Sequence, residues 1–235
     1  MGKEIKRCAL PRNIGIQKIF TSKNNLHGVG LTVEALKDID VCIDFSTSNS
    51  VLSHIEAVAA CGKNIVVGTT GWYNALDEVK SIVEKNNIGL LYSPNFSIGM
   101  NIFAQTIASA ARCADTFGLY DAAIHEIHHR GKADSPSGTA LMLGEIILRH
   151  LRPKKEIFHE TAHQKIQLDQ LHIASSRIGE TIGTHRVIFD SDADSIELVH
   201  TAKNRSGFAL GALIAAEWLK GKKGFFTMND VLPSL

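Results

Sequence analysis

Short apolar runs alternate with segments of helical period along the first hundred residues. IDVCIDF (39–45) is a mostly apolar, β-branched run, the pattern of a strand buried on both faces. SVLSHIEAVAACGK (50–63) follows with helical spacing, Ser50 placed to cap it and Gly62 to stop it. NIVVGTTG (64–71) reads as a strand that ends in a Gly/Thr turn. WYNALDEVKSIVEKNN (72–87) reads as a helix, and IGLLYSPNFS (88–97) as a further strand with a polar end. This βαβαβ rhythm predicts a parallel sheet with right-handed crossovers.

The pattern changes in the second half. GMNIFAQTIASAARCA (99–114) has helical spacing, and GLYDAAIHEIHH (118–129) alternates like a strand with one covered face. SGTALMLGEIILRHL (137–151) predicts a helix that starts at Pro136 or Ser137. QLHIASSRIG, THRVIFD and DSIELVHTAK are closely spaced strand-like runs joined by turn residues, so they predict antiparallel or mixed pairing. NRSGFALGALIAAEWLKGK (204–222) predicts a last, amphipathic helix that stops at Gly221. The expected organisation is α/β. A Rossmann-like parallel-sheet nucleotide domain is built from 1–97 and 206–235. An α+β mixed-sheet domain is expected at 98–205.

Composition narrows the function. The 235 residues carry a formal charge of +1, so no broad field exists to attract nucleic acid. Four scattered cysteines show no C-x-x-C spacing, as expected of a reducing compartment, and no apolar run is long enough to span a membrane. MGKEIKRCAL has no apolar signal core, and Lys6 stands where a myristoylation signal needs Ser or Thr. A cytoplasmic protein is expected.

The densest chemistry lies in EIHHRGKADSPSGTA (126–140). A metal site from His125, His128 and His129 is disfavoured, because alternation sends His128 to the opposite face from the other two. A Walker A loop is excluded, because Lys132 precedes the glycine Gly138 instead of following it. An anion site fits better. Pro136–Thr139 leads into a helix whose first N–H groups and positive dipole end favour a carboxylate. Ser137 and Thr139 add hydroxyls, and His128, His129, Arg130 and Lys132 supply cationic groups. This set suits a small dicarboxylate, with a lysine placed to donate a proton once neighbouring cations ease its loss. GTTG (68–71) and SPNFSIGMN (93–101) lie at the carboxyl ends of parallel strands, where ligands bind in open sheets.

These residues resemble a known family. EIHHRGKADSPSGTA is similar to the signature E-x-H-H-x-x-K-x-D-[AS]-P-S-G-T-A of dihydrodipicolinate reductase, also called 4-hydroxy-tetrahydrodipicolinate reductase, of lysine and diaminopimelate biosynthesis. IDFST (43–47), GTTG, NFSIGMN and the pair Arg177-Ile178-Gly179 with Gly183-Thr184-His185 match further family segments in order. The resemblance implies reduction of a dihydropyridine-type dicarboxylate by NADH or NADPH. It implies His128 as acid/base residue and Lys132 as proton donor, with His129, Ser137, Gly138 and Thr139 holding substrate. Gly68, Thr69, Thr70, Ser93, Pro94, Asn95 and Phe96 would line the nicotinamide side. No metal is implied, and family members form a homotetramer through the mixed sheet.

The sequence departs from the family at its start. Family chains open on a strand and a G-x-x-G-R-M-G turn; MGKEI matches only the end of that turn. HGVGLTV (27–33) lacks the third glycine and is not expected to open a helix. The expectation is an N-terminally truncated chain whose first strand and pyrophosphate loop are encoded just upstream. The alternative function is a non-catalytic relic or ligand-binding, oligomerising module of the same fold. A different dehydrogenase of like architecture is disfavoured by the specificity of the H-H-x-x-K…P-S-G-T string. The next family strand falls near IGIQKIFTSKNN (14–25), where no acidic residue waits for a ribose 2′-hydroxyl; Lys18 or Lys23 would suit a 2′-phosphate, an ordinary exposed lysine is the commoner reading, and NADH and NADPH both stay open.

Overall fold

The structure, a computed structural model, describes residues 1–25 and 28–232. The chain divides into two compact units, Met1–Ile98 with the described residues from Arg205 onward, and Gly99–Asn204.

The first unit holds a four-stranded parallel sheet of order β1-β2-β3-β9, made of β1 (Val41–Asp44), β2 (Asn64–Val67), β3 (Gly89–Tyr92) and β9 (Gly224–Thr227). Helices α3 (Val51–Ala60) and α4 (Leu76–Asn86) cover one face with an apolar layer that includes Ile55, Val58, Val79 and Val83. Helix α7 (Ser206–Leu219) covers the other, where Ala212, Ala215 and Leu219 meet Val66 and Leu91. With both faces covered, β2 is buried at every residue, which explains its unbroken apolar run. Gly62 and Gly221 both take positive φ, 66° and 74°, at the stops expected for their helices.

Three expectations need correction here. Helix α7 is not amphipathic. Its second face, Ala209 and Leu213, packs on Ile5 and Ala9 of α1 (Gly2–Ala9), so it is apolar on two covered faces, with Leu210 and Glu217 left exposed. Residues 14–20 form no strand. Ile14 and Ile16 pack into the α1–α7 cluster, but no strand among the described residues pairs with them in a ladder. A one-turn helix α2 (Val33–Leu36) does open in HGVGLTV, because the Thr32 hydroxyl accepts the Ala35 N–H at 3.1 Å; His27 lies outside the described residues. The short strand β9 and the helix α8 (Met228–Val231) that follows it gave no signal in the pattern.

The second unit holds a five-stranded mixed sheet of order β5-β6-β4-β7-β8. Its strands are β4 (Asp121–His128), β5 (Glu156–Phe158), β6 (Gln170–Arg177), β7 (Thr184–Asp190) and β8 (Ser195–Thr201). β5, β6 and β4 run parallel; β7 and β8 are antiparallel to their neighbours. Alternate residues Ala122, Ile124, Leu171, Ile173, Val187 and Phe189 face helices α5 (Ile98–Phe117) and α6 (Gly138–His150) in one core. None of the strand residues that point to the opposite face is buried. No helix of the described residues is long and apolar enough to cross a membrane.

Candidate active site

In β4 the alternation that buries Ile124 also buries Glu126 and His128, so two ionisable side chains follow the core residues inward at the strand's end. Glu126 is 0 % exposed. Its Oε1 accepts the Arg177 guanidinium at 2.9 Å and the Ser137 N–H at 3.2 Å, and its Oε2 meets His128 Nδ1. Burial raises the Glu126 pKa, but the Ser175 hydroxyl, Arg177, the Ser137 hydroxyl and the nearby His128 outweigh it, and the carboxylate ends below its ordinary range.

His128 is itself drawn down, first by burial and then by the cations Lys132 and Arg177, against the pull of Glu126. His185 of β7 lies beside it, ring centroids 5.2 Å apart, with Nε2 3.3 Å from the Ser137 hydroxyl. Burial and His128 push His185 down to about 4, so it is neutral through the physiological range.

After β4 the chain turns through His129–Lys132, closed by Lys132 N–H to His129 C=O at 3.1 Å. Lys132 Nζ then pairs with both oxygens of Asp134 at 2.7 and 2.8 Å. That bond to Lys132 is the first cause holding Asp134 below the usual carboxylate range; the Gly138 N–H also contributes. Arg177 fastens the loop from beneath, donating to the carbonyls of Lys132 and Asp134. Ser137 caps α6 as expected, its hydroxyl accepting the Ala140 N–H at 3.2 Å. Gly138 and Thr139 then occupy the first turn, with Gly138 exposed and open space where a Cβ would stand.

The second unit therefore gathers His128, His129, Lys132, Ser137, Gly138 and Thr139 around one strand end, one loop and one helix start. The sequence placed Glu126, Asp134, Arg177 and His185 in matched family segments but gave none of them a role. Alternation along β4 could have flagged Glu126, since a lone carboxylate on a core-facing position needs a partner. Of the three histidines first weighed as metal ligands, His125 points to the other face and bonds Ser176 at 3.1 Å. Glu126, His128 and His185 instead bring three donor atoms within 4.8 Å, but Glu126 already carries Arg177.

In the first unit the carboxyl ends of β1, β2 and β3 are level. Gly68 N–H donates to Asp44 C=O and Ser93 N–H to Val67 C=O. Asp44 ties these ends together. Its Oδ1 accepts the Thr69 hydroxyl at 2.6 Å and the Ser46 N–H at 3.0 Å, and its Oδ2 lies 2.8 Å from His54 Nδ1. Thr69 is thus turned inward, and its carbonyl accepts Trp72 Nε1 at 2.8 Å. Phe96 is also inward, a core residue 1 % exposed. Ser93 is buried as well, which leaves Thr70 and Pro94 exposed and Gly68 and Asn95 half-buried as the accessible part of the expected nicotinamide set. A Cβ on Gly68 would come to 2.2 Å from the Phe45 ring, so any side chain there would have to displace that ring. A floor of glycine, threonine and proline propped by inward side chains fits a flat ring.

Family models match both units: dihydrodipicolinate reductase, N-terminus, over residues 2–96, and dihydrodipicolinate reductase, C-terminus, over residues 99–232. The chain is 40% identical over 198 residues to the 4-hydroxy-tetrahydrodipicolinate reductase of Christiangramia forsetii, covering 84% of this chain and 81% of that protein. It is 39% identical over 216 residues to the reductase of the same name from Aquifex aeolicus, covering 89% and 80%. Among solved structures it resembles the dipicolinate-bound dihydrodipicolinate reductase of Paenisporosarcina sp. TG-14. That match has a TM-score of 0.77 and 22% identity, covering 98% of this chain and 95% of that one.

Proposed function

The chain belongs to the dihydrodipicolinate reductase family, and from that premise we propose how its own residues divide the reaction. The activity is reduction of 4-hydroxy-tetrahydrodipicolinate to tetrahydrodipicolinate with NADH or NADPH, in lysine and diaminopimelate biosynthesis. The reduced nicotinamide supplies a hydride; the protein must hold two carboxylates, supply a proton and keep both reactants oriented.

The first turn of α6 takes one substrate carboxylate. The Ala140 N–H is held by the Ser137 hydroxyl and the Gly138 N–H bonds Asp134, so Thr139 offers the carboxylate its N–H and its hydroxyl at a half-buried position. His129 assists from the turn after β4. Lys132 donates the proton, and His128 is the acid/base group beside it. Gly68, Thr70 and Pro94 form the floor for the nicotinamide, while Thr69, Ser93, Asn95 and Phe96 hold that floor in place. The observation that carries this reading is the gathering of Lys132, His128 and the capped start of α6 around one loop, fastened to Glu126 by Arg177.

The test is NAD(P)H oxidation with freshly generated 4-hydroxy-tetrahydrodipicolinate, for the chain and for Thr139→Val. The variant keeps the shape and removes one hydrogen bond to a charged group, worth about 1.5–3 kcal/mol. The substrate KM is expected to rise roughly ten- to hundredfold, with KM for the dinucleotide unchanged. An effect confined to the dinucleotide would mean the dicarboxylate lies elsewhere.

The same reading extends to assembly as a homotetramer through the uncovered sheet face. That face carries Ala123, Ile127, Ala174, Ile188 and Val199, and Val199 is 50 % exposed. A face of this kind is normally covered by another element or another copy. Val199→Asp is expected to lower the mass measured by light scattering to that of a smaller species. An unchanged mass would rule out this face.

A further inference from the structure

Four strands of the mixed sheet each bring one polar residue to the same cross-strand row on the helix-covered face. Ser175 of β6 stands opposite Glu126 of β4, Glu126 opposite His185 of β7, and His185 opposite His200 of β8. The adjacent row on that face is Ile173, Ile124, Val187 and Leu198, so polarity is confined to the end of the core that meets the active-site loop. A buried carboxylate in such a place is stable only when its lone pairs are matched. Arg177 and the Ser137 N–H match Oε1. Oε2 has His128 Nδ1 against it, and neither atom has another partner among the described residues.

The other nitrogen of His128 looks elsewhere. Nε2 faces Gly183, where a Cβ would come to 2.9 Å of it. Nδ1 is therefore committed to the carboxylate, and Nε2 is the nitrogen left to exchange a proton. The same carboxylate governs the lysine loop at one remove, because the guanidinium that binds Glu126 also binds the carbonyls of Lys132 and Asp134.

We propose that Glu126 is a positioning residue for the reduction: it fixes His128 with its hydrogen on Nδ1 and its Nε2 bare, and through Arg177 it holds the Lys132 loop in register with that ring. The proposal rests on the roles given above to His128 and Lys132. The charged and titratable groups around His128 are Glu126 on its own strand, Arg177 of β6, His185 of β7 and Lys132 of the loop; His200 lies behind His185. Of these only Glu126 favours a protonated His128.

Glu126→Gln keeps the shape and removes the charge. Losing a neighbouring anion lowers the pKa of an imidazole, by about 1 to 3 units for an adjacent pair. The limb of the kcat/KM pH profile that belongs to His128 is therefore expected to move toward acid by that amount, with KM for NAD(P)H unchanged. His128→Asn identifies the limb and is expected to lower turnover by about 10²-fold or more. A folded Glu126→Gln enzyme with an unmoved limb overturns the role of Glu126 alone. A His128→Asn enzyme with normal turnover and profile overturns the role of His128 beneath it. A wild-type measurement serves if Glu126→Gln does not fold. At pH 8 the ¹⁵N spectrum of histidine-labelled enzyme, assigned by difference against His128→Asn, is expected to show His128 protonated at Nδ1. Protonation at Nε2 overturns the proposal.

Discussion

Replacing Lys132 with alanine is expected to lower turnover about 10²- to 10⁴-fold, the usual worth of a positioned proton donor, and to leave NAD(P)H affinity as it was. Lys132 is the flexible cation of the loop after β4. Its side chain is 23 % exposed, and its ammonium is held by Asp134 rather than by anything buried. An ion pair of that exposure is weak, so a substrate carboxylate can compete for the ammonium at little cost. Lys132→Arg is not expected to rescue the loss. Guanidinium keeps the charge but does not release its proton in the working range. Steady-state rates with NADH fluorescence titration separate the two effects. Turnover within threefold of wild type for Lys132→Ala would remove this residue from proton transfer. Loss of dinucleotide affinity alone would place it at the wrong ligand.

Local pattern carried far in this chain because most of its signals are local. The core-facing alternation of β4, the Ser137 cap and the glycine stops at 62 and 221 are decided by neighbours a few residues away, and all are legible in the sequence. The elements that escaped depend on partners far along the chain. GFFT (224–227) is a strand because β3 is there to pair with it, and EIF (156–158) because β6 is. Residues 14–20 have the composition of a strand and fail to be one for want of such a partner.

The candidate site shows the same division. His128, Lys132 and the α6 start sit in one motif and could be named from it. Their support could not. Ser175, Glu126, His185 and His200 come from four segments and meet only through strand register. The motif shows Glu126 as its first letter and nothing more; only the fold reveals that it is buried and that Arg177 of another strand answers it. On the nucleotide side, Thr69 and Phe96 belong to family motifs, yet their side chains turn inward to brace the loops.

A second large effect is expected from a position that the sequence makes look harmless. In FALGALIAA, Gly211 reads as a weak helix residue that alanine should improve by up to about 1 kcal/mol. In the folded unit, α7 passes so close to the loop after β3 that a Cβ on Gly211 would stand 1.7 Å from the Phe96 carbonyl oxygen and 2.8 Å from its carbonyl carbon. Backbone cannot rotate aside as a side-chain tip can. Either α7 moves off the sheet, opening the contact of Ala212 and Ala215 with Val66 and Leu91, or the Ser93–Ser97 loop moves. Overpacking usually costs about 1–3 kcal/mol, and this clash belongs at or beyond the upper end. Gly211→Ala is therefore expected to lower the melting temperature by roughly 10 °C. Because Phe96 anchors the loop that carries Pro94 and Asn95, NAD(P)H affinity is expected to fall with it, while dicarboxylate binding by the second unit is preserved. Calorimetry with separate titrations of the two ligands checks both parts. A variant that melts with the wild type would show that α7 does not press on this loop, and with it would go the account of how the loop at the end of β3 is braced for the dinucleotide.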